Sequence, residues 1–261
     1  TDKSGNDFVG TCLGGARIVT MGESNPVSAM YIEQAGAYFD MGQEIGKAVA
    51  GLTDYTISVF YRKDSVGGVT WSSSAYGQWL YCFCNSNDLA SDGQGGIFYE
   101  PYRAYHAVFT TNYGDETGVQ RGQRRTPIGT WHNITYVQSG QKGTLYFDGE
   151  VAGSSDNVYI PAYALKAKGH RGTIHNYIGL PCYSGDPKLS KTHIAGLQIY
   201  GVALTQEDLQ SEELTNISAR IAALNTAYNE NPEVVGPEFQ QEYDALTLPD
   251  ISALTEETVL T

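Results

Sequence analysis

The 261-residue chain is long enough for one large domain, and its formal net charge of −13 excludes functions that need a basic surface. Nucleic acids and anionic membrane surfaces both bind clusters of Lys and Arg, so neither is an expected partner. The charge is uneven, because eight acidic residues and no Lys or Arg follow Arg220. No apolar run approaches the ~20 residues that span a bilayer, and we therefore expect no membrane insertion.

The 30 glycines and 19 tyrosines favour an all-β protein. Short strands require many turns, in which glycine is common, and tyrosine is common in strands that are partly exposed to solvent. The first predicted strands are 16–21, 28–39 with an interruption at Gly36, and 54–62. The last of these alternates well, with Tyr55, Ile57, Val59 and Tyr61 on one face, which is typical of a sandwich strand.

Residues 77–84 are predicted to form a central strand, because both of its faces are apolar. Trp79 on this strand and Trp131 further along are therefore assigned to the core. Two strands at 97–99 and 104–110 follow, and polar loops are predicted at 85–96 and 112–126.

The four cysteines do not decide the redox compartment. Cys82 and Cys84 point to one face of the predicted strand, which favours free buried thiols. A Cys12–Cys182 disulfide stays open as an alternative, since spacing alone does not determine pairing. A Cys-x-Cys pair without a second Cys or His pair is not a zinc site.

Residues 129–153 predict three successive antiparallel strands. Asp148-Gly149 lies between two apolar runs and suits a type I′ hairpin, in which both turn residues need positive φ. The remaining predicted strands are 158–160, 174–180 and 193–200. Strand and turn alternation with no intervening helix favours an antiparallel sandwich over a parallel α/β fold.

One helix is predicted to begin at Thr205, where Thr-Gln-Glu-Asp has the form of a capping box. Its apolar residues recur every three or four positions and form one stripe, which comprises Leu214, Ile217, Ile221, Leu224 and Tyr228. Docking on the sandwich of the same chain is favoured over pairing with a partner helix, because most amphipathic helices pack internally. Residues 230–261 are predicted to be an acidic linker.

Three ordered motifs carry a family resemblance. Gly-Thr-Trp-His-Asn-Ile at 129–134 and Leu-Tyr-Phe-Asp-Gly-Glu at 145–150 resemble the central motif of laminin-G-like domains, within the concanavalin A-like lectin and glucanase superfold. Thr-Asp-Tyr-Thr-Ile-Ser-Val-Phe at 53–60 resembles an early strand of that family, and residues 194–209 resemble its closing segment. One superfold hosts many functions, so the resemblance implies the fold more strongly than the ligand.

The resemblance implies an all-β antiparallel jelly-roll sandwich at 1–204, followed by a helix at 205–229 packed on the sandwich and the linker at 230–261. The end of the linker resembles the start of small Ig-like domains in bacterial polysaccharide-degrading proteins, so neighbouring domains of the same chain are expected partners. The implied function is non-catalytic binding of polysaccharide or oligosaccharide by a secreted, periplasmic or cell-surface protein. A structural spacer and a glycoside hydrolase remain alternatives.

Sugar binding requires aromatic faces together with a few hydrogen-bonding groups. The chain concentrates both between 69 and 125. The predicted carbohydrate-binding residues are Trp71, Tyr76, Tyr99, Tyr102, Arg103, Tyr105, Arg121 and Arg124. For any one of these aromatic residues, packing over the end of the sandwich is an equally good explanation of its position.

No catalytic residue is predicted. The sequence lacks the Glu-x-Asp-x-x-Glu spacing that concanavalin A-like glycan hydrolases use. The acids at Asp115-Glu116 and Asp148-Gly149-Glu150 fall in predicted turns, where solvated acids are usual.

Several related domains hold structural Ca²⁺ through oxygen ligands. Asp88 and Asp92, in the loop at 85–92, are the candidate ligands, and a turn stabilised by Asx hydrogen bonds is the favoured alternative.

Overall fold

A computed structural model describes residues 4–65, 76–85, 95–111, 113–122, 126–167, 169–183, 185–210, 217–230 and 234–235. These residues form two antiparallel sheets that pack face to face. The all-β sandwich predicted from the sequence is therefore confirmed.

The described strands are short and most lie in the first two hundred residues. They are β1 Thr11–Leu13, β2 Arg17–Met21, β3 Val27–Ile32, β4 Tyr38–Asp40, β5 Asp54–Lys63, β6 Tyr81–Cys84, β7 Gly96–Glu100, β8 Tyr105–Phe109, β9 Thr117–Gln120, β10 Trp131–Ser139, β11 Lys142–Phe147, β12 Glu150–Ser155, β13 His175–Ile178, β14 Thr192–Tyr200 and β15 Val234–Val235.

The two sheets are built from strands that are distant in sequence. One has seven strands in the order β1-β4-β13-β6-β7-β8-β9, and the other has eight in the order β12-β11-β10-β5-β14-β3-β2-β15. In the first sheet, β13 pairs with both β4 and β6, which brings residues near 40, 82 and 177 side by side. Long-range pairing of this kind decides which side chains meet on each face.

The core between the sheets follows the predicted alternation. Tyr55, Ile57, Val59 and Tyr61 of β5 all belong to the main buried cluster. The opposite face of the same strand is also covered, because Phe60 packs with Trp131 in a second cluster outside the eight-stranded sheet. Both faces of this sheet thus exclude water near its centre.

The predicted hairpin at 148–149 is confirmed. Asp148 and Gly149 have φ angles of 52° and 87°, as a type I′ turn requires. The carboxylate of Asp148 accepts hydrogen bonds from the backbone N–H of Asn133 at 2.8 Å and lies 2.8 Å from Nδ1 of His132. The Trp-His-Asn motif on β10 therefore holds the turn between β11 and β12 in place.

Four α-helices occur in the described residues, α1 Glu44–Val49, α2 Pro161–Ala167, α3 Gln206–Gln210 and α4 Ile217–Glu230, together with a short 3-10 helix at Tyr113–Asp115. Thr205 and Asp208 form the predicted capping box, with the Asp208 N–H donating to Thr205 Oγ1 at 3.1 Å and the Thr205 N–H donating to Asp208 Oδ2 at 2.6 Å. Leu224 and Ala227 of α4 are buried against β2 and β3. No helix within the described ranges is both long enough and apolar enough to cross a membrane.

Several local predictions are wrong. Residues 158–160 form no strand and instead lead into α2, and α1 is a helix that the strand-only pattern did not anticipate. The segment at 112–126, predicted to be a loop, contains β9 at the edge of the seven-stranded sheet. Its few apolar residues gave no period-two signal, and pairing with β8 decides its conformation.

The cysteine predictions are also corrected. Cys84 forms a disulfide with Cys182, while Cys12 and Cys82 are free thiols. The sulfurs of Cys82, Cys84 and Cys182 lie within 4.8 Å of one another. Folding brings the loop after β13 over β6, which no spacing rule reveals, so the alternative Cys12–Cys182 pairing is wrong.

Candidate functional site

The candidate site lies on the outer face of the seven-stranded sheet, at the turn between β7 and β8. Phe98 and Ala107 belong to a cluster on this outer side rather than to the core between the sheets. Glu100 and Tyr105 are each two residues away on the same strands and pair directly with one another. Side chains two apart on a strand share a face, so both project outward.

Glu100 is a fully buried carboxylate held by two donors. Nε2 of Gln78 donates to it at 2.7 Å, and the Arg103 guanidinium donates from Nε and from Nη2, each at 2.6 Å. Such charge-assisted bonds are stronger than neutral ones. Burial raises the pKa of Glu100, and Arg103 opposes that shift.

Trp79 and Tyr183 form an aromatic wall beside this pair. The Trp79 ring stacks on Phe98 with 3.9 Å between centroids, and the Tyr183 ring meets it edge-on at 4.8 Å. The Trp79 backbone has a φ of 66°, a conformation that is costly for a bulky residue. Its indole Nε1 donates to Asp186 Oδ2 at 2.7 Å, so packing and this bond hold the strained residue.

Glu116 lies just before β9 and is half-buried. Burial raises the pKa of Glu116 to about 7, although the Tyr183 hydroxyl and the Arg103 guanidinium both oppose the rise. Burial likewise raises the pKa of Asp186. The nearby Asp186 carboxylate also raises the pKa of Glu116, because a neighbouring negative charge disfavours its ionisation.

Glu100, Arg103, Tyr105, Glu116 and Asp186 are together named the carboxylate site. The Arg103 guanidinium carbon lies 5.3 Å from the centroid of the half-exposed Tyr105 ring. The site therefore combines a partly exposed aromatic ring, a cation and a carboxylate that is partly protonated at neutral pH. These groups are able to stack on an apolar face and to exchange hydrogen bonds with hydroxyl groups.

The structure places the predicted sugar-binding residues in different environments. Arg103 and Tyr105 meet at the carboxylate site. Tyr102 is half-buried beside Tyr76, and Arg121 lies 3.7 Å over the Phe147 ring at the end of the sandwich.

Tyr76 and Tyr99 have no exposed surface, so neither ring offers a face to a ligand. Tyr99 belongs to the core between the sheets because its strand position faces inward. Trp71, Arg124 and the candidate calcium ligands Asp88 and Asp92 lie outside the described residues.

Sequence reasoning missed three members of the site. The sequence pattern places Glu116 in a solvated turn, and it assigns no role to Glu100 or Asp186. A signal was present for Glu100, because an acid at the end of an apolar strand needs a partner, and Arg103 follows at i+3. For Asp186 there was none, since its position depends on the loop after β13.

Comparisons with known proteins were informative only at the level of structure. No protein-family model matches the chain, and a comparison with curated proteins found no match. Domain 4 of AbnA, a GH43 extracellular arabinanase from Geobacillus stearothermophilus in complex with arabinotriose, superposes with a TM-score of 0.53 at 14% identity, over 79% of this chain and 89% of that one.

Two further solved structures are similar at lower scores. The CBM40 of the Ruminococcus gnavus IT-sialidase, bound to α2,3-sialyllactose, has a TM-score of 0.49 at 15% identity, over 69% of this chain and 94% of that one. A Trypanosoma rangeli sialidase mutant with trans-sialidase activity has a TM-score of 0.48 at 13% identity, over 84% of this chain and 33% of that one. At 14% identity, the similarity to domain 4 of AbnA shows a shared β-sandwich fold.

Proposed function

We propose that the chain is a laminin-G-like carbohydrate-binding domain whose sugar site is the carboxylate site. The observation that carries the proposal is the half-exposed Tyr105 ring flanked by the Arg103 guanidinium and by Glu116. Sugar residues present apolar C–H faces and hydroxyl rims, and this arrangement complements both. A solved structure of the same fold, domain 4 of the arabinanase AbnA, holds arabinotriose and supports the choice of ligand class.

We further propose that the domain works outside the cytoplasm, as part of a polysaccharide-processing protein. The Cys84–Cys182 disulfide supports this, because disulfides persist mainly in oxidising compartments. The proposed division is a sandwich at 1–204, a packed helix at 205–229 and a linker at 230–261 that leads to a neighbouring domain. Within the proposed linker, Val234–Val235 pairs with β2 of the sandwich.

Tyr105→Ala is expected to weaken glycan binding by about tenfold, because the change removes the accessible ring and leaves the charged groups. The measurement is retention on affinity gels that contain arabinan, xylan, pectin fragments or host glycans, followed by titration of the retained ligand. Tyr163→Ala is the matched control, since Tyr163 is a 63% exposed ring on α2. No retention of the unaltered protein on any glycan contradicts the proposal.

Glycoside hydrolysis is a second candidate function that one observation favours. With a pKa of about 7, Glu116 is partly protonated at neutral pH, as a general acid must be. A second carboxylate, Asp186, lies close enough to influence it. Glycosidases use a pair of carboxyl groups, at least one of which has a shifted pKa. Glu116 and Asp186 would serve as such a pair if a glycan chain bound across them.

Glu116→Gln is expected to lower hydrolysis at least a hundredfold, because an amide donates no proton to the leaving oxygen. Release of reducing sugar from arabinan and xylan is measured from pH 5 to 9. For the unaltered protein, the rate is expected to fall above about pH 7 as Glu116 loses its proton. Glu207→Gln changes an exposed acid on α3 and serves as the control. Absence of reducing sugar from the unaltered protein at every pH rules out this second function and leaves binding.

A further inference from the structure

A second group of half-exposed side chains, three of them rings, lies on the same outer face as the carboxylate site, on β4 and β13. It consists of Tyr38, Asp40, His175 and Tyr177 and is named the tyrosine patch. Asp40 and Tyr177 are direct cross-strand partners, and Tyr177 also pairs with Cys82 of the outer cluster. Because direct partners share a face, the patch and the carboxylate site lie on the same side of the seven-stranded sheet, with the buried Cys82 and Phe98 of the outer cluster between them.

The side chains of the patch are held in defined orientations. The rings of Tyr38 and Tyr177 are 5.1 Å apart and nearly perpendicular, at 69°. Nδ1 of His175 lies 2.6 Å from the Tyr177 hydroxyl, and Asp40 Oδ1 accepts a hydrogen bond from the Gly42 N–H at 2.9 Å. All four side chains keep part of their surface in solvent, so a ligand would meet a surface that is already ordered.

The charge of the patch limits what it binds. Burial lowers the pKa of His175, although Asp40 opposes the shift, so the imidazole is neutral at pH 7. Burial raises the pKa of Tyr177 to about 12, so the phenol keeps its proton. Asp40 is the one acidic side chain of the patch, and its carboxylate disfavours an anionic ligand while accepting hydrogen bonds from neutral hydroxyl groups.

We propose that the tyrosine patch is a second saccharide subsite that is selective for neutral sugar residues. The inference rests on the proposed function, since it takes a glycan as the ligand of this face. Two strands, β6 and β7, separate β13 from β8, so Tyr177 lies at least about 14 Å from Tyr105 at ~4.8 Å per strand spacing, and β4 is one strand further away. A glycan chain that reaches both sites gains affinity from the second contact without any change at the first.

The test is calorimetric titration of the full chain with arabinohexaose and, separately, with polygalacturonate. Tyr177→Ala and Tyr105→Ala are each expected to weaken arabinohexaose binding about tenfold, whereas Tyr163→Ala has no effect. Asp40→Asn removes the charge and retains a side-chain oxygen for the Gly42 N–H, so it is expected to strengthen polygalacturonate binding several-fold. Circular dichroism establishes that each variant is folded.

The outcomes separate the subsite from the proposed function. If Tyr177→Ala and Tyr38→Ala both bind arabinohexaose as the unaltered protein does while Tyr105→Ala is weakened, the subsite is wrong and the proposed function stands. If polygalacturonate binds more tightly than arabinohexaose and Tyr177→Ala weakens it, the selectivity for neutral sugars is wrong. If the unaltered protein binds neither ligand, both the subsite and its neutral selectivity are rejected, and only the glycan screen described above decides the proposed function.

Discussion

A double variant, Cys84→Ala with Cys182→Ala, is expected to have a free energy of unfolding about 4 kcal/mol lower than the unaltered protein. The two cysteines are 98 residues apart, and a cross-link over such a long loop restricts the unfolded chain strongly. Both side chains are buried on the outer face of the sheet, so the loss of the sulfur atoms adds a small cavity cost. Urea denaturation under oxidising conditions measures the difference.

Cys82→Ala is the matched control, because Cys82 is a buried free thiol on the same strand and face. It is expected to cost only the packing of one small side chain. Addition of a reductant should lower the stability of the unaltered protein and leave that of the double variant unchanged. Equal denaturation midpoints for the unaltered protein and the double variant, before reduction, would show that Cys84 and Cys182 are not bonded.

Arg103→Met is expected to lower the free energy of unfolding by about 2 kcal/mol at pH 7. The change leaves the buried Glu100 carboxylate with Gln78 as its remaining donor among the described contacts. Breaking a fully buried ion pair costs about 3–5 kcal/mol. The lower figure allows for the Arg103 side chain, which is 40% exposed and therefore partly screened by water.

The cost of Arg103→Met should depend on pH in a defined direction. Burial already raises the pKa of Glu100, and loss of Arg103 removes a group that lowers it. An acid whose pKa is raised by folding contributes stability at low pH, which is lost as the pH rises through the folded-state pKa. The variant is therefore expected to lose more stability at pH 8 than at pH 5, as measured by urea denaturation.

Glu100→Gln combined with Arg103→Met is the control for this dependence. The double variant keeps the shape of the pair but has no buried carboxylate, so it should be more stable than Arg103→Met at pH 8. A flat pH profile for Arg103→Met would mean that Glu100 is not the group left unpaired.

The sequence was sufficient for the elements that local chemistry dictates. The alternation at 54–62 predicted a two-faced strand, Asp148-Gly149 predicted a type I′ turn, and Thr205 to Asp208 predicted a capping box. Each depends on residues that are neighbours in the chain, so short-range sterics and hydrogen bonds decide the outcome. Together with the spacing of the turns, these signals predicted the antiparallel sandwich.

The candidate site depended instead on contacts between distant parts of the chain. Asp186 comes close enough to raise the pKa of Glu116 because β9 and the loop after β13 both border the outer face of β7 and β8. The same packing buries Tyr99, which the sequence placed among the ligand-binding rings. Whether a tyrosine faces the core or the solvent depends on which sheet face its strand position occupies, and a one-residue shift reverses it.

By itself, then, the sequence determined that this chain folds as an all-β sandwich, because periodicity and turn chemistry act over a few residues. Only the tertiary structure decided the Cys84–Cys182 pairing and the assembly of the carboxylate site. It also raised the pKa of Glu116 to about 7, because burial penalises a charge only once the surrounding chain has excluded water. Which residues pair, how deeply they are buried and what dielectric constant surrounds them all depend on how the sheets pack. No short stretch of sequence determines these properties.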